Sequence, residues 1–208
     1  MPLMTKEREY RSVMTPLMIP TAQEKRIDSE FYVEGLATTF DSPYLLYEWD
    51  GVKYYEIIAR SALEGADMSD VIMQYNHAGK VLARQSNGTL GIEPLDQGLF
   101  IFADLSKSRA AKDMYEEIAN GLITKMSWAF TVLEDSYNKE TRTRTILKIK
   151  KVYDISAVSY PANSGTEISA RSWLDGVIET EKQELLERQR MEAVWANTLL
   201  KRRTIHGD

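Results

Sequence analysis

The chain has 208 residues, of which 26 are basic and 31 acidic, so its formal net charge is −5 and its pI is near 5.3. A nucleic-acid-binding domain normally has a basic surface, so this composition argues against nucleic acid as a partner. The absence of cysteine excludes disulfides, thiolate zinc sites and a cysteine nucleophile. Two histidines, His77 and His206, are too few for a multi-histidine metal centre, and the sequence predicts no metal and no cofactor.

The length and a hydrophobic content of 43% are sufficient for one domain with a core, together with shorter appendages. No apolar run approaches the roughly 20 residues that span a bilayer. The first residues are mixed in charge, unlike a signal peptide. The sequence therefore predicts a soluble, intracellular chain that has no membrane partner.

The chain divides into three zones. Residues 1–27 hold three of the six prolines and show no sustained period, which predicts a flexible N-terminal arm. Residues 28–172 alternate as strands do, around one helical segment. Residues 173–208 are predicted to be a helical tail, because the stretch from Gly176 onward lacks proline and is rich in Glu, Gln, Leu, Arg and Ala.

In the middle zone, β-branched and aromatic residues predict strands at 31–40 and 53–60, a connecting loop between them, and a further strand at 70–77. A hairpin follows, with strands at 89–94 and 98–105. Helical spacing then predicts one helical face, formed by Ala111, Met114, Tyr115, Ile118, Ala119 and Leu122.

A second predicted hairpin joins 125–135 to 144–160 through a polar turn at 136–143. Strands therefore precede and follow a single helix. This order predicts a mostly β fold of the α+β class, with a mostly antiparallel barrel or sandwich rather than a parallel βαβ sheet.

His77 is the first residue whose chemistry is noteworthy. It ends a predicted strand and precedes Ala78-Gly79, where the chain can turn, so its imidazole would lie at a sheet rim. An imidazole there can accept and return a proton near neutral pH. The alternative is a lone structural or surface histidine.

Ser127 follows Met126 and precedes Trp128 in a predicted strand. Alternation places the bulky residues on one face and Ser127, Ala129 and Thr131 on the other. The small face leaves room for a partner side chain or a substrate beside the hydroxyl. The alternative is a small polar residue on a solvent face.

Asp154 interrupts an otherwise apolar strand. A carboxylate in such a place is costly unless it is paired or hydrogen-bonded. It could hold a histidine N–H, as the acid of a Ser-His-Asp set does, or it could be a strand-edge residue in solvent. The chain order His77, Ser127, Asp154 matches none of the common serine-hydrolase orders, and no Gly-x-Ser-x-Gly motif is present.

Four stretches together resemble the HK97-type prohead (capsid maturation) proteases of tailed bacteriophages, a family related to the herpesvirus assemblins. The resemblance covers about residues 30–172. The stretches are EGLATTFDSP (34–43), MQYNHAG (73–79), GLITKMSWAF (121–130) and VYDISAVSYPAN (152–163).

This resemblance implies a small β-barrel decorated by helices and a serine endopeptidase with His77, Ser127 and Asp154 as its catalytic residues. It implies action in the host cytoplasm, inside the assembling procapsid. The implied substrates are the scaffold region of the major capsid protein and the protease itself, and assemblin relatives suggest a homodimer.

The C-terminal tail has Leu186, Ala193 and Leu200 at heptad spacing. It could dock the protease onto scaffold or shell and be trimmed later, pack on its own domain, or pair two subunits. Two other functions remain open: a non-enzymatic capsid assembly factor, and a serine hydrolase with cellular substrates.

Overall fold

A computed structural model describes residues 8–20, 25–49 and 51–159 and, in the C-terminal tail, 176–177, 179–180, 183–184 and 186–195. The chain divides into a larger unit, Met4–Ala170, and a smaller one that includes Arg171–Asp208. The described tail residues are helical, and the described strands all belong to the larger unit.

The larger unit contains ten strands within its described residues, one 3-10 turn at Arg60–Leu63 and the helix α1 (Arg109–Ala119). The strands are β1 (Glu9–Pro16), β2 (Tyr32–Thr39), β3 (Tyr44–Trp49), β4 (Val52–Ile58), β5 (Ile72–Tyr75), β6 (Ala78–Arg84), β7 (Leu90–Leu95), β8 (Gly98–Asp104), β9 (Lys125–Asn138) and β10 (Thr143–Val158).

These strands form two sheets. The larger has the order β1-β9-β10-β4-β3, with β5 beside β10 and β6 beside β5, and the smaller has the order β2-β8-β7. The prediction of a mostly β, α+β fold is confirmed. The strand pairings of the described residues do not close into a barrel, so the barrel stays a prediction.

Most strand pairs of the described residues are antiparallel, as the sequence predicts, and the parallel pairs are those of β10 with β4 and β5. Strand β10 pairs antiparallel with β9 but parallel with β4 along its first part and with β5 along its last part. Parallel neighbours need a long connection, and both β4 and β5 lie far from β10 along the chain. Periodicity describes single strands, so it could not show this pairing.

Both predicted hairpins are confirmed, as β7–β8 and β9–β10. The segment that was expected to be a loop between the first two predicted strands contains β3, which pairs with β4. β6 was also missed, although it directly follows His77.

The helix α1 begins after Ser108, whose Oγ accepts a hydrogen bond from the amide of Ala111 at 3.1 Å. It buries three residues of the predicted apolar face, Ala111, Met114 and Ile118. The prediction that Leu122 belongs to that face is wrong, because this side chain is 72% exposed. The helix ends at Ala119, and Gly121 at φ 72° redirects the chain so that Ile123 is buried instead.

The N-terminal zone also differs from its prediction as a flexible arm. Glu9–Pro16 form β1, which pairs antiparallel with β9. Glu9 and Arg11 are fully buried in this strand. Two buried charges give no apolar alternation, so the strand is not recognisable until their partners are known.

Those partners form a cluster of charged side chains on one face of the larger sheet, the face that also carries Trp128 and Phe130. Arg11 contacts Glu9 at 2.5 Å and Glu56 at 2.5 Å, and Arg144 contacts Glu9 at 2.7 Å. Arg144 also donates to Asp135 at 2.6 Å, and Tyr44 donates to Glu56. We call this set the buried charge cluster; it consists of Glu9, Arg11, Tyr44, Glu56, Asp135 and Arg144.

Opposite charges favour the ionised forms of Glu9 and Arg11. Burial by itself would raise the pKa of Glu9, but the charges and hydrogen bonds of Arg11 and Arg144 outweigh burial and lower that pKa below its ordinary value. Burial would likewise lower the pKa of Arg11, whereas Glu56 and Glu9 raise it well above its ordinary value. The cluster therefore stabilises the fold only as a complete set.

Glu56→Gln is expected to lower the free energy of unfolding by about 3–5 kcal/mol, because it removes the carboxylate that accepts two hydrogen bonds from the buried guanidinium of Arg11. Urea denaturation followed by tryptophan fluorescence measures the change. Glu134→Gln is the matched control, since it removes an exposed ion pair with Lys148 and should change little. Equal effects of the two substitutions would contradict the assignment.

Acid should weaken the fold through Glu9. The pKa of Glu9 is lower in the folded than in the unfolded chain. Its ionised form therefore stabilises the fold at pH values above about 4.5, the ordinary pKa of a glutamate. That contribution is lost as the pH falls through the folded pKa. The unfolding free energy of the native sequence should therefore fall more steeply below about pH 5 than that of Glu9→Gln. Parallel pH profiles for the two proteins would refute this expectation.

Candidate active site

Three neighbouring strands bring the predicted site residues together. Ser127 lies in β9, Asp154 lies in β10, and His77 lies in the connection between β5 and β6. β10 pairs with β9 on one side and with the short strand β5 on the other. The three residues are therefore adjacent although they are far apart in sequence.

A register shift turns Asp154 toward Ser127. Val152 pairs with Phe130, and Asp154 pairs with the next residue, Ala129, so one extra residue of β10 is accommodated as in a β-bulge. Residues directly opposite each other in a sheet share a face. Val152 therefore lies on the core face with Phe130, whereas Asp154 lies on the other face, which also carries Ser127.

His77 is held in a tight turn. β5 ends at Tyr75, which pairs with Ala78, so Asn76 and His77 form a two-residue connection. Both have positive φ, 49° and 58°, as a type I′ turn requires. The Asn76 amide donates to the carbonyl of Ala157 in β10 at 3.0 Å. The turn thus begins two residues earlier than the expected site at Ala78-Gly79, and Asn and His are among the non-glycine residues that adopt this conformation most readily.

The three side chains form one hydrogen-bonded chain. His77 Nδ1 lies 2.5 Å from Asp154 Oδ1, and His77 Nε2 lies 2.7 Å from Ser127 Oγ. A carboxylate only accepts hydrogen bonds, so Nδ1 carries the proton of the neutral ring. Nε2 is then an acceptor, and the Ser127 hydroxyl donates to it. This arrangement can take the proton from the serine oxygen.

The chain of hydrogen bonds is shielded from water. Ser127 is 0% exposed, Asp154 is 3% exposed, and the His77 side chain is 11% exposed. The alternatives that placed Ser127 on a solvent face and Asp154 in solvent are therefore wrong. Ser156 Oγ donates a second hydrogen bond to Asp154 Oδ1 at 2.6 Å, which offsets part of the cost of burying the carboxylate.

Two neighbours of the site were missed from the sequence. Ser156 lies two residues after Asp154 on the same strand face, so strand alternation could have indicated it. Tyr10 packs against the His77 ring, with ring centroids 4.7 Å apart and an interplanar angle of 66°. It lies in the segment that was predicted to be flexible, and no local pattern pointed to it.

The described residues contain no group of three or more His, Asp or Glu side chains arranged to hold a metal ion. The helices of the described part of the chain also include none that is long and apolar enough to cross a membrane. What the site offers is a hydroxyl, an imidazole and a carboxylate, a set suited to acyl transfer.

A family model described as caudovirus prohead serine protease matches residues 19–179, which include His77, Ser127 and Asp154. The chain belongs to this family. The resemblance noted in the sequence is confirmed, and membership assigns the chain a serine protease role in capsid maturation. No match was found among curated proteins or among solved structures.

The His77 tautomer is open to direct measurement. In ¹⁵N-labelled protein at about pH 8, the neutral ring should carry its proton on Nδ1 and none on Nε2. Asp154→Asn should change this pattern, because an amide in place of the carboxylate also offers a donor to the ring. The chain has one other histidine, so His206→Gln assigns the signals. A proton on Nε2 in the native protein would contradict the geometry.

Proposed function

We propose that this prohead protease is a serine endopeptidase with His77, Ser127 and Asp154 as its catalytic residues. Its substrates would be the scaffold region or extension of the major capsid protein and the protease itself. It would act inside the assembling procapsid, in the host cytoplasm. The observation that carries the proposal is the position of the His77 ring, with Asp154 at Nδ1 and Ser127 at Nε2.

The reaction follows from this arrangement. Ser127 Oγ attacks the substrate carbonyl while its proton passes to His77 Nε2, and the carboxylate of Asp154 stabilises the resulting imidazolium. His77 then returns the proton to the leaving amine, and the C–N bond breaks to give an acyl-enzyme. Water repeats the sequence and releases the acid. Proton transfer of this kind contributes about 10²–10⁴-fold to the rate.

The side chain of Asp154 is one methylene shorter than that of a glutamate, but its carboxylate still reaches the imidazole of His77. β5 lies directly beside β10, where Asp154 pairs with Ile72, and the turn after β5 carries His77. The short carboxylate is therefore compatible with the orienting role that the proposal gives it.

Substrate access requires movement near the nucleophile. Ser127 is completely buried, so a peptide carbonyl reaches its Oγ only after neighbouring atoms have moved. The proposed activity thus includes an opening step before the attack.

The proposal also gives the helical tail a role. Its described residues leave large apolar side chains exposed, with Met191 at 71% and Trp195 at 70%. We assign the tail the docking of the protease onto scaffold or shell, consistent with exposed apolar residues that mark interaction surfaces.

Co-expression with the capsid protein tests the enzymatic function. Ser127→Ala and His77→Ala should each abolish shortening of the capsid protein, with rate losses of several orders of magnitude, because each removes a reacting group. Ser136→Ala is the matched control, since Ser136 is exposed on the same strand, β9. Gel electrophoresis of the shells reads out cleavage.

Other outcomes would refute the proposal. Normal shells without cleavage in all variants would indicate a non-enzymatic assembly factor. Turnover of generic peptides without any cleavage of capsid protein would indicate a hydrolase with other substrates. Mass spectrometry decides self-cleavage, because identical termini in the native protein and Ser127→Ala exclude it.

A further inference from the structure

The two faces of strand β1 lie on different sides of the larger sheet. It pairs with β9 so that Tyr10 lies opposite Ala129 and Ser12 lies opposite Ser127. Directly opposed residues share a face, so Tyr10 and Ser12 lie on the side of the sheet that carries Ser127. The alternate residues, Glu9 and Arg11, lie on the other side, opposite Phe130 and Trp128.

The second face fixes the position of β1. Glu9 contacts Arg144 of β10, and Arg11 makes two hydrogen bonds to Glu56 of β4, at 2.5 and 2.8 Å. All four of these side chains are at most 2% exposed. A buried charge cannot leave its partners without a large cost, so the buried charge cluster ties β1 to two other strands.

The first face reaches the site. The ring of Tyr10 meets the His77 imidazole edge to face, the arrangement that aromatic pairs prefer. The hydrogen bonds to Asp154 and Ser127 hold the two ring nitrogens of His77. Tyr10 adds a packing contact to the imidazole, with ring centroids 4.7 Å apart, so a rotation of the His77 ring away from Ser127 would disturb this contact.

We propose that β1 contributes to the active site through Tyr10. This side chain is a positioning residue that keeps the His77 ring aligned with Ser127. The buried charge cluster holds β1 in the place that this contact needs. The inference rests on the proposed function, because it assigns Tyr10 a role in the reaction of Ser127. On this inference, β1 contributes to catalysis as well as to the structure of the sheet.

Misalignment of a proton acceptor is costly to catalysis, since a displacement of about 1 Å can cost about 10²-fold in rate. Tyr10→Leu removes the ring and should lower kcat by about 10-fold while KM stays within about twofold. Tyr10→Phe is the matched control, because it retains the ring and should keep kcat within about twofold. A purely structural strand would not produce this split between kcat and KM.

The ring signals of His77 give a readout that needs no proteolysis. The Tyr10 ring current displaces the imidazole C–H signals, so Tyr10→Leu should move them toward those of an exposed histidine, while Tyr10→Phe preserves them. Arg11→Lys should move them in the same direction, because lysine cannot contact Glu9 and Glu56 as a guanidinium fork does. If Arg11→Lys fails to fold in a thermal melt, the two Tyr10 variants decide alone.

The outcomes separate the two proposals. Unchanged His77 signals and unchanged kcat in Tyr10→Leu overturn the role of Tyr10, even if Ser127→Ala abolishes cleavage. A native protein that cleaves no capsid protein overturns the proposed function, and the His77 signals then still decide whether Tyr10 orders the ring.

Discussion

The register shift between Val152 and Asp154 is the constraint on which the candidate site depends. Without it, alternation would place both residues on the core face, with Phe130. The extra residue reverses the face of the strand, so a carboxylate emerges beside Ser127 while Ile155 and Ala157 continue the core. One local irregularity thus lets the same strand pack the interior and orient a histidine.

Charge is buried in two separate places, and the sheet joins them. On the site face, Asp154 is satisfied by His77 and Ser156. On the far face, the buried charge cluster is satisfied by its own opposite charges. Both sets include a residue of β10, since Arg144 lies near the start of this strand and Asp154 lies ten residues further along it. The strand therefore links the stability of the fold to the geometry of the site.

Several features were predictable because they have local causes. The helix α1 follows from its 3.6-residue spacing, and the two hairpins follow from alternation around polar turns. β3 was not predictable as a strand without its pairing to β4. β1 was missed because its inward residues, Glu9 and Arg11, are charged, and their burial depends on partners more than 40 residues away in the chain.

The sequence by itself determined the candidate nucleophile, base and acid, since His77, Ser127 and Asp154 were selected from local pattern and from the resemblance that family membership confirms. Only the tertiary structure decided that they meet, because proximity depends on the parallel pairing of β5 with β10 and on the register shift beside Asp154. It also decided that Tyr10 and Ser156 belong to the same site. Local patterns report the face of one strand, whereas contacts between strands depend on a register that only the assembled sheet defines.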